Sequence, residues 1–289
     1  MADLTTPALP RRRRAALNPR VAIGGAGLLL LLGCAVLAPL LAPHDPLEQD
    51  LFSTLLPPSW LAGGDPAFPL GTDGLGRDVL SRLIYSTRVT VVVALVAATL
   101  AGMIGSLLGL VAGYAGRAAD QALSRLIDVW MAFPPVLLSI VLAAVLGAGL
   151  GSVIAAIVVI DWTRFARVVR AETMVQARMD YVTVARSLGL PGPAILMREI
   201  LPNLLPLILT LLAVEMGIAV IVEAILSFVG LSVAGDTATW GGMIAEGRQV
   251  IRQAWWVLAF PMGCLVLTIF AFTLFGDGLR AAIDPVRRR

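Results

Sequence analysis

Side chains able to carry acid–base or nucleophilic chemistry are few in this chain and far apart. There is a single histidine, His44, so a metal cage built on histidines fails on the count. Ser139, Ser152 and Ser227 lie in or near apolar runs, and a serine–histidine pair would have to recruit His44 itself. Cys34 and Cys264 both sit inside apolar runs, which reads as two small buried hydrophobes rather than a disulfide framework. All 22 basic residues are arginine. Without lysine there is no P-loop of the G-x-x-x-x-G-K-[ST] kind and no Schiff-base chemistry. If ATP drives this protein, another polypeptide must bind it, and no cofactor is expected in this chain. What remains is a pair of acids in the apolar run 203–231, Glu215 and Glu223. An intramembrane carboxylate faces protein or water and is a functional candidate by default. The inventory argues against an enzyme.

The elements that position these residues are membrane helices. Of the 289 residues 58% are hydrophobic and 14% charged, whereas a soluble domain needs roughly 25% charged residues to cover its surface. Residues 21–43, 89–116 and 253–276 are uncharged and long enough to cross a bilayer, which takes about 20 residues. The uncharged run 129–160 is too long for one span and too short for two. Gly147–Gly151 is its natural turn, and the second helix of the pair runs on through Asp161 and Trp162 toward Arg167. Residues 203–231 form another span, interrupted only by Glu215 and Glu223. The total is six. With both termini inside, the inner segments hold 17 of the 22 arginines and the outer segments 5, in agreement with the positive-inside rule. Arg11–Arg14 followed by an apolar run and Leu31-Leu32-Gly33-Cys34 could be a lipoprotein signal, but the run continues to Pro43, which favours a retained anchor.

Three stretches stand out. Ala97, Ala101, Gly105, Gly109 and Gly113 recur at every fourth position, a smooth stripe along which another helix backbone packs closely; whether that helix belongs to this chain is open. The outer segment 44–88 is rich in Pro and Gly and ends in Phe68-Pro69-Leu70-Gly71-Thr72-Asp73-Gly74-Leu75-Gly76-Arg77-Asp78, a turn leading into a helix Asp78–Thr87 rather than a phosphate cradle. The inner segment 164–202 carries Arg164, Arg167 and Arg170 on one helical face, with Asp161 three residues from Arg164 and expected to pair with it. A short helix around Asp180–Leu188 stops at Gly189, with Pro191 and Pro193 just beyond. This pattern reads as a rigid lever, where a plain amphipathic loop resting on anionic lipid is the alternative.

Tyr181-Val182-Thr183-Val184-Ala185-Arg186-Ser187-Leu188-Gly189, followed by Ile200-Leu201-Pro202-Asn203, resembles the "EAA" loop of permease subunits of ABC importers. The resemblance narrows to the C-type subunit of the dipeptide/oligopeptide/nickel permease family. Supporting stretches in order are Phe68–Tyr85, Trp162–Glu172, Glu223–Leu231, Trp240–Arg248 and Gly276–Arg280 with Asp284-Pro285. Where the family has Glu-Ala-Ala, this chain has Thr183-Val184-Ala185, so the acidic residue is replaced while Ala185 and Gly189 remain.

The resemblance implies an all-α membrane protein with the type I importer permease fold, both termini inside, in the inner membrane of a bacterium. It implies a cytoplasmic coupling helix that docks on an ATPase, with Tyr181, Thr183, Ala185, Arg186, Gly189, Leu201 and Pro202 as the coupling residues. It also implies a homologous B-type permease partner, one or two ATPase subunits that bind ATP and Mg, and an extracytoplasmic binding protein, with peptides or related small solutes (nickel included) as cargo. Surrounding lipid is a further partner, and nucleic acid is not. The expected division is a basic tail 1–20, a first span 21–43, an outer segment 44–88, a core 89–280 containing the coupling loop 164–202, and a tail 281–289. The outer segments 44–88 and 232–252 are the surfaces available to a binding protein. Glu215, near mid-bilayer, is expected to face the translocation path, with Glu223 and Ser227 as further path candidates and Gly105, Gly109 and Gly113 as helix-packing positions; a buried carboxylate hydrogen-bonded to a neighbouring helix is the alternative for both acids. A secondary transporter or channel acting without an ATPase is the competing reading; it predicts internal repeats, and none recurs at a fixed offset.

Overall fold

The computed structural model of the chain describes residues 18–233 and 237–283. The expected tails are therefore described only for 18–20 and 281–283, and Arg11–Arg14, Asp284-Pro285 and Arg287–Arg289 lie outside the described residues. Every regular element among those described is helical.

Helix α1 (Pro19–Val36) opens on an Asn18 cap, with Pro19 in the first turn where its missing N–H costs nothing. It bends at Leu37 into a single turn, α2 (Ala38–Leu41), so the expected span 21–43 is not one straight rod. The outer segment then leads to α3 (Val79–Ala115), whose N-terminus is capped by the Asp78 carboxylate accepting from the Leu80 and Ser81 backbone N–H groups. The expected short helix Asp78–Thr87 and the second span form one continuous helix of 37 residues, about 55 Å long at 1.5 Å per residue. Neither Arg82 nor Arg88 interrupts it, because each has a partner: Arg88 Nε donates to the Ala35 carbonyl at 2.8 Å.

The amphipathic helix α4 (Arg117–Met131) turns by 84° into α5 (Pro135–Leu146). The expected third span thus carries a break at Ala132–Pro134, where consecutive prolines remove the N–H donors a continuous helix would use. With 12 residues, α5 rises only about 18 Å. Next comes α6 (Leu150–Gln176), then the short helices α7 (Asp180–Ser187) and α8 (Gly192–Ile195). A π-helical turn, Leu196–Ile200, joins α8 to α9 (Leu201–Phe228), so that Gly192–Phe228 forms one 37-residue apolar rod. Helix α10 (Trp240–Val250) precedes α11 (Trp255–Ile283). Four helical segments, Pro19–Val36, Val79–Ala115, Gly192–Phe228 and Trp255–Ala282, are long and apolar enough to cross a bilayer, and the bent α4–α5 pair makes a fifth candidate. The protein is a multi-pass membrane protein.

The helix that the small-residue stripe meets is α6 of the same chain. A Cβ on Gly105 would lie 2.2 Å from the Trp162 carbonyl oxygen, one on Gly109 2.7 Å from that of Ala166, and one on Gly113 2.7 Å from that of Arg170. Ala101 and Ala97, one and two turns before Gly105, are completely buried. These positions let α3 and α6 touch backbone to backbone, which in lipid supplies the packing that the hydrophobic effect does not. Further out, Val89, Val93 and Ala97 of α3 share a core with Ala143, Val153, Ile157, Ala219 and Leu226.

Candidate functional site

The inner segment between α6 and α9 is held by one buried cluster. Val182 and Ala185, on one face of α7, pack with Leu110, Val169, Ile195, Ile200 and Leu204. Ala185 is small enough to let α7 lie flat there. The opposite face points outward: Val184 is 56% and Leu188 74% exposed, and Thr183, Arg186, Ser187 and Gly189 are exposed beside them. Gly189 ends the helix at φ +78°. Its N–H donates to the Arg186 carbonyl at 3.0 Å and the Leu190 N–H to the Ala185 carbonyl at 3.2 Å, the paired bonds of a Schellman stop. A left-handed residue at this position is nearly free only for glycine.

Tyr181 and Arg186 brace the two ends of α7. The Tyr181 hydroxyl donates to Gln176 Oε1 at 2.7 Å and accepts from Asn203 Nδ2 at 3.3 Å, so it bridges the end of α6 and the start of α9. Asn203 Nδ2 also donates to the Glu199 carbonyl. The Arg186 guanidinium stacks over Tyr114, 4.9 Å from the ring centroid, tying α7 to the inner end of α3. Leu201 and Pro202 form the first turn of α9, Leu201 against the Ile195–Ile200 cluster. Thr183, standing where an acid was expected, donates weakly to the Met179 carbonyl at 3.4 Å and leaves its face to solvent. Arg170, on the inner half of α6, makes an ion pair with Asp120 of α4.

The acids of α9 occupy different surroundings. Glu215, 4% exposed, receives Arg164 Nη1 at 3.3 Å. The expected Asp161–Arg164 pair is thereby corrected: Arg164 reaches across to α9 instead of back along its own helix. Asp161 is also buried, and its Oδ2 has no hydrogen-bond partner. Glu223 is 1% exposed and accepts from Ser227 at 2.5 Å and Ser232 at 3.3 Å. Within this chain, then, Glu215 lies against α6 and Glu223 against the loop that follows α9. Ser227 additionally borders an outer cavity of about 210 Å³, lined also by Arg77, Arg82, Glu246, Ser232 and Thr239.

That cavity marks a site the sequence reading passed over. Asp73, almost completely buried, pairs with Arg77 at 2.7 Å and with Arg82; Glu246 of α10 receives Arg77 at 2.9 Å and both guanidinium nitrogens of Arg82, at 2.6 and 3.1 Å. The network locks the Gly71–Asp78 turn onto α10, 169 residues away for Arg77 and Glu246. The indole N–H groups of Trp240 and Trp256 add bonds to the Leu83 and Thr72 carbonyls. Charged residues repeated within one motif were the available signal, though their partner on α10 was not visible in it. His44 stacks on Phe68 and approaches Asp78 at 3.5 Å, whereas the hydroxyls of Ser139, Ser152 and Ser227 donate to Val136, Leu146 and Glu223. Among the described residues no group of three or more His, Cys, Asp or Glu is placed to hold a metal ion.

The chain matches the family described as "Binding-protein-dependent transport system inner membrane component" over residues 105–289. Residues 12–58 match the "N-terminal TM domain of oligopeptide transport permease C". Among its relatives, the di/tripeptide transport system permease protein DppC of Pseudomonas aeruginosa is 39% identical over 89% of this chain and 85% of the relative. The dipeptide transport system permease protein DppC of Haemophilus influenzae is 37% identical over 93% and 91%. The glutathione transport system permease protein GsiD of Pectobacterium atrosepticum is 37% identical over 93% and 88%. A short helix docked on three long ones, with its other face open, is therefore set in a chain that belongs to the binding-protein-dependent transport system inner membrane components, as a permease subunit of an ABC importer.

Proposed function

We propose that this subunit forms half of a translocation pathway for short peptides across a bacterial inner membrane, driven by ATP hydrolysed in separate chains. The observation that carries the reading is α7: Val182 and Ala185 face inward, while Val184 and Leu188 are left exposed for another protein. A helix only 8 residues long cannot hold such a face by propensity alone, so its packing against α3, α6 and α9 makes it a rigid transmitter. The absent lysine, and with it the absent P-loop, supports assigning the nucleotide and its Mg to partner ATPases.

The reading includes six spans, α1, α3, α5, α6, α9 and α11, with both termini inside, and the division into tail 1–20, span 21–43, outer segment 44–88 and core 89–280 followed by tail 281–289. Arginine placement supports the orientation. A homologous B-type permease completes the pathway, and a binding protein docks on the outer platform 44–88 with 232–252, of which 234–236 lie outside the described residues. Peptide cargo rests on the peptide permeases among the relatives. Glu215, Glu223 and Ser227 are proposed to act at the pathway through the charge and hydroxyls they keep near its walls. The test is uptake of a labelled dipeptide into proteoliposomes. Uptake is expected only with the partner permease, ATPases, binding protein and ATP all present. Uptake by this chain alone would overturn the reading in favour of a secondary transporter or channel.

A further inference from the structure

Asp161, Glu215 and Arg164 form a group whose charges do not balance as drawn. Two acids meet one guanidinium: Arg164 contacts Glu215 at 3.3 Å, and Asp161 lies one turn before Arg164 on the same face of α6. Both acids are at most 4% exposed, and Asp161 Oδ2 has no donor. Glu215 sits 14 residues into the 28-residue α9, near its middle, so water cannot screen the excess negative charge as it would at a surface. Further compensation is absent from the elements packed around them. Helix α3 carries no ionisable side chain between Arg88 and Tyr114, α5 carries none, and α11 carries no charged one before Asp277. Helix α4 carries Arg117, Asp120, Arg125 and Asp128, of which Asp120 is taken by Arg170 and the other three are exposed, and Arg167 on α6 itself is exposed as well. Two buried carboxylates beside one guanidinium leave an uncompensated negative charge unless one of them holds a proton.

We propose that Asp161 and Glu215 form a two-carboxyl site that binds one proton, and that this proton holds α6 against α9 on either side of the coupling loop. With the proton in place the trio is neutral: one ionised carboxylate pairs with Arg164, and the protonated carboxyl donates to it. Loss of the proton to water leaves two carboxylates side by side, and their repulsion loosens the two helices that the α7 segment joins. No covalent bond forms or breaks beyond the O–H that exchanges. The site makes transport proton-linked without proton movement being its driving force.

The transport readout rests on the function proposed above, so the test pairs it with one that does not. In the complete reconstituted transporter, peptide uptake per ATP hydrolysed is measured from mildly acidic to alkaline pH, for the natural chain and for Asp161→Asn. Uptake per ATP in the natural chain is expected to fall about fivefold over the first pH unit above the midpoint of the pair's titration, and Asp161→Asn is expected to lose that fall whatever its rate at neutral pH. The infrared spectrum of the purified complex at neutral pH should show a protonated carboxyl C=O band, exchangeable in deuterium oxide, that disappears in both Asp161→Asn and Glu215→Gln. Any band from Glu223, bonded elsewhere to Ser227 and Ser232, is common to all three samples and cancels in the difference. An unchanged infrared band in both variants, or the same alkaline fall in Asp161→Asn as in the natural chain, overturns the proposal. A lost band in a complex that moves no peptide would confirm the proton site while refuting the cargo.

Discussion

The outer platform and the inner coupling segment solve opposite problems with different chemistry. In the 44–88 platform, charges do the fastening: the buried Asp73 and Arg82 and the partly exposed Arg77 and Glu246 satisfy one another across a long stretch of sequence. At the inner end, apolar burial and backbone caps fasten α7, and its polar groups mostly face out. A buried ion network tolerates little displacement, because losing one partner strands a charge. Apolar contacts lined by small residues allow a helix to move as a unit while staying packed. On the function proposed above, the difference fits an outer end that holds a fixed shape and an inner end that receives a push.

Variants can break that contrast or sharpen it. The largest loss of stability is expected for Arg82→Met, about 3–5 kcal/mol from leaving Asp73 and Glu246 short of a partner. It should lower the unfolding temperature of the assembled complex while leaving uptake per ATP unchanged in the molecules that remain folded. Ala185→Arg comes next, about 1–3 kcal/mol from overpacking the face on which α7 lies. Here the reverse pattern is expected, with ATP hydrolysis retained and peptide uptake lost. Gly189→Pro forces a ring that needs negative φ into a position at +78° and removes the N–H that closes the helix, a strain of about 1–3 kcal/mol. Uncoupling without loss of assembly is the expected outcome, read as hydrolysis in excess of uptake. The smallest effect belongs to Arg178→Gln or Arg198→Gln, neither of which shows an ion pair among the described residues; stability should change by less than about 0.5 kcal/mol. Arg170 differs from these two through its pair with Asp120, and its replacement should be measurably worse. If Arg82→Met uncoupled and Ala185→Arg did not, the assignment of roles to the two ends would be reversed.

Much of the inner site was legible in the sequence because it rests on local rules. Gly189 as a helix stop follows from the glycine and the prolines that trail it, and the stripe from Ala97 to Gly113 follows from period-four spacing. The stripe could not say that its partner was α6, because close approach is a property of two helices and only one was in view. Long-range pairing was also hidden. The i, i+3 rule suggested Asp161 for Arg164, yet Glu215 lies 51 residues on and takes the guanidinium. The outer network escaped for the same reason, since Glu246 is remote in sequence from both of its arginines. Hydropathy marked 129–146 as a span without registering that Pro134 and Pro135 bend the chain by 84°. In the other direction, charge counting divided α3 at Arg88, although a single side-chain bond to the Ala35 carbonyl is enough for the helix to continue.

The central claim is that the outward face of α7 is where an ATPase pushes. Site-directed cross-linking in the assembled transporter tests it most directly, with Cys34 and Cys264 first replaced by alanine and single cysteines introduced at Leu188, Val182 and Leu61. The account predicts that Leu188→Cys joins this chain to the ATPase with a yield that changes when ATP binds. It predicts no such product from the buried Val182→Cys or the outer Leu61→Cys. An ATPase adduct from Leu61→Cys, or none from Leu188→Cys in a complex that transports normally, would contradict it.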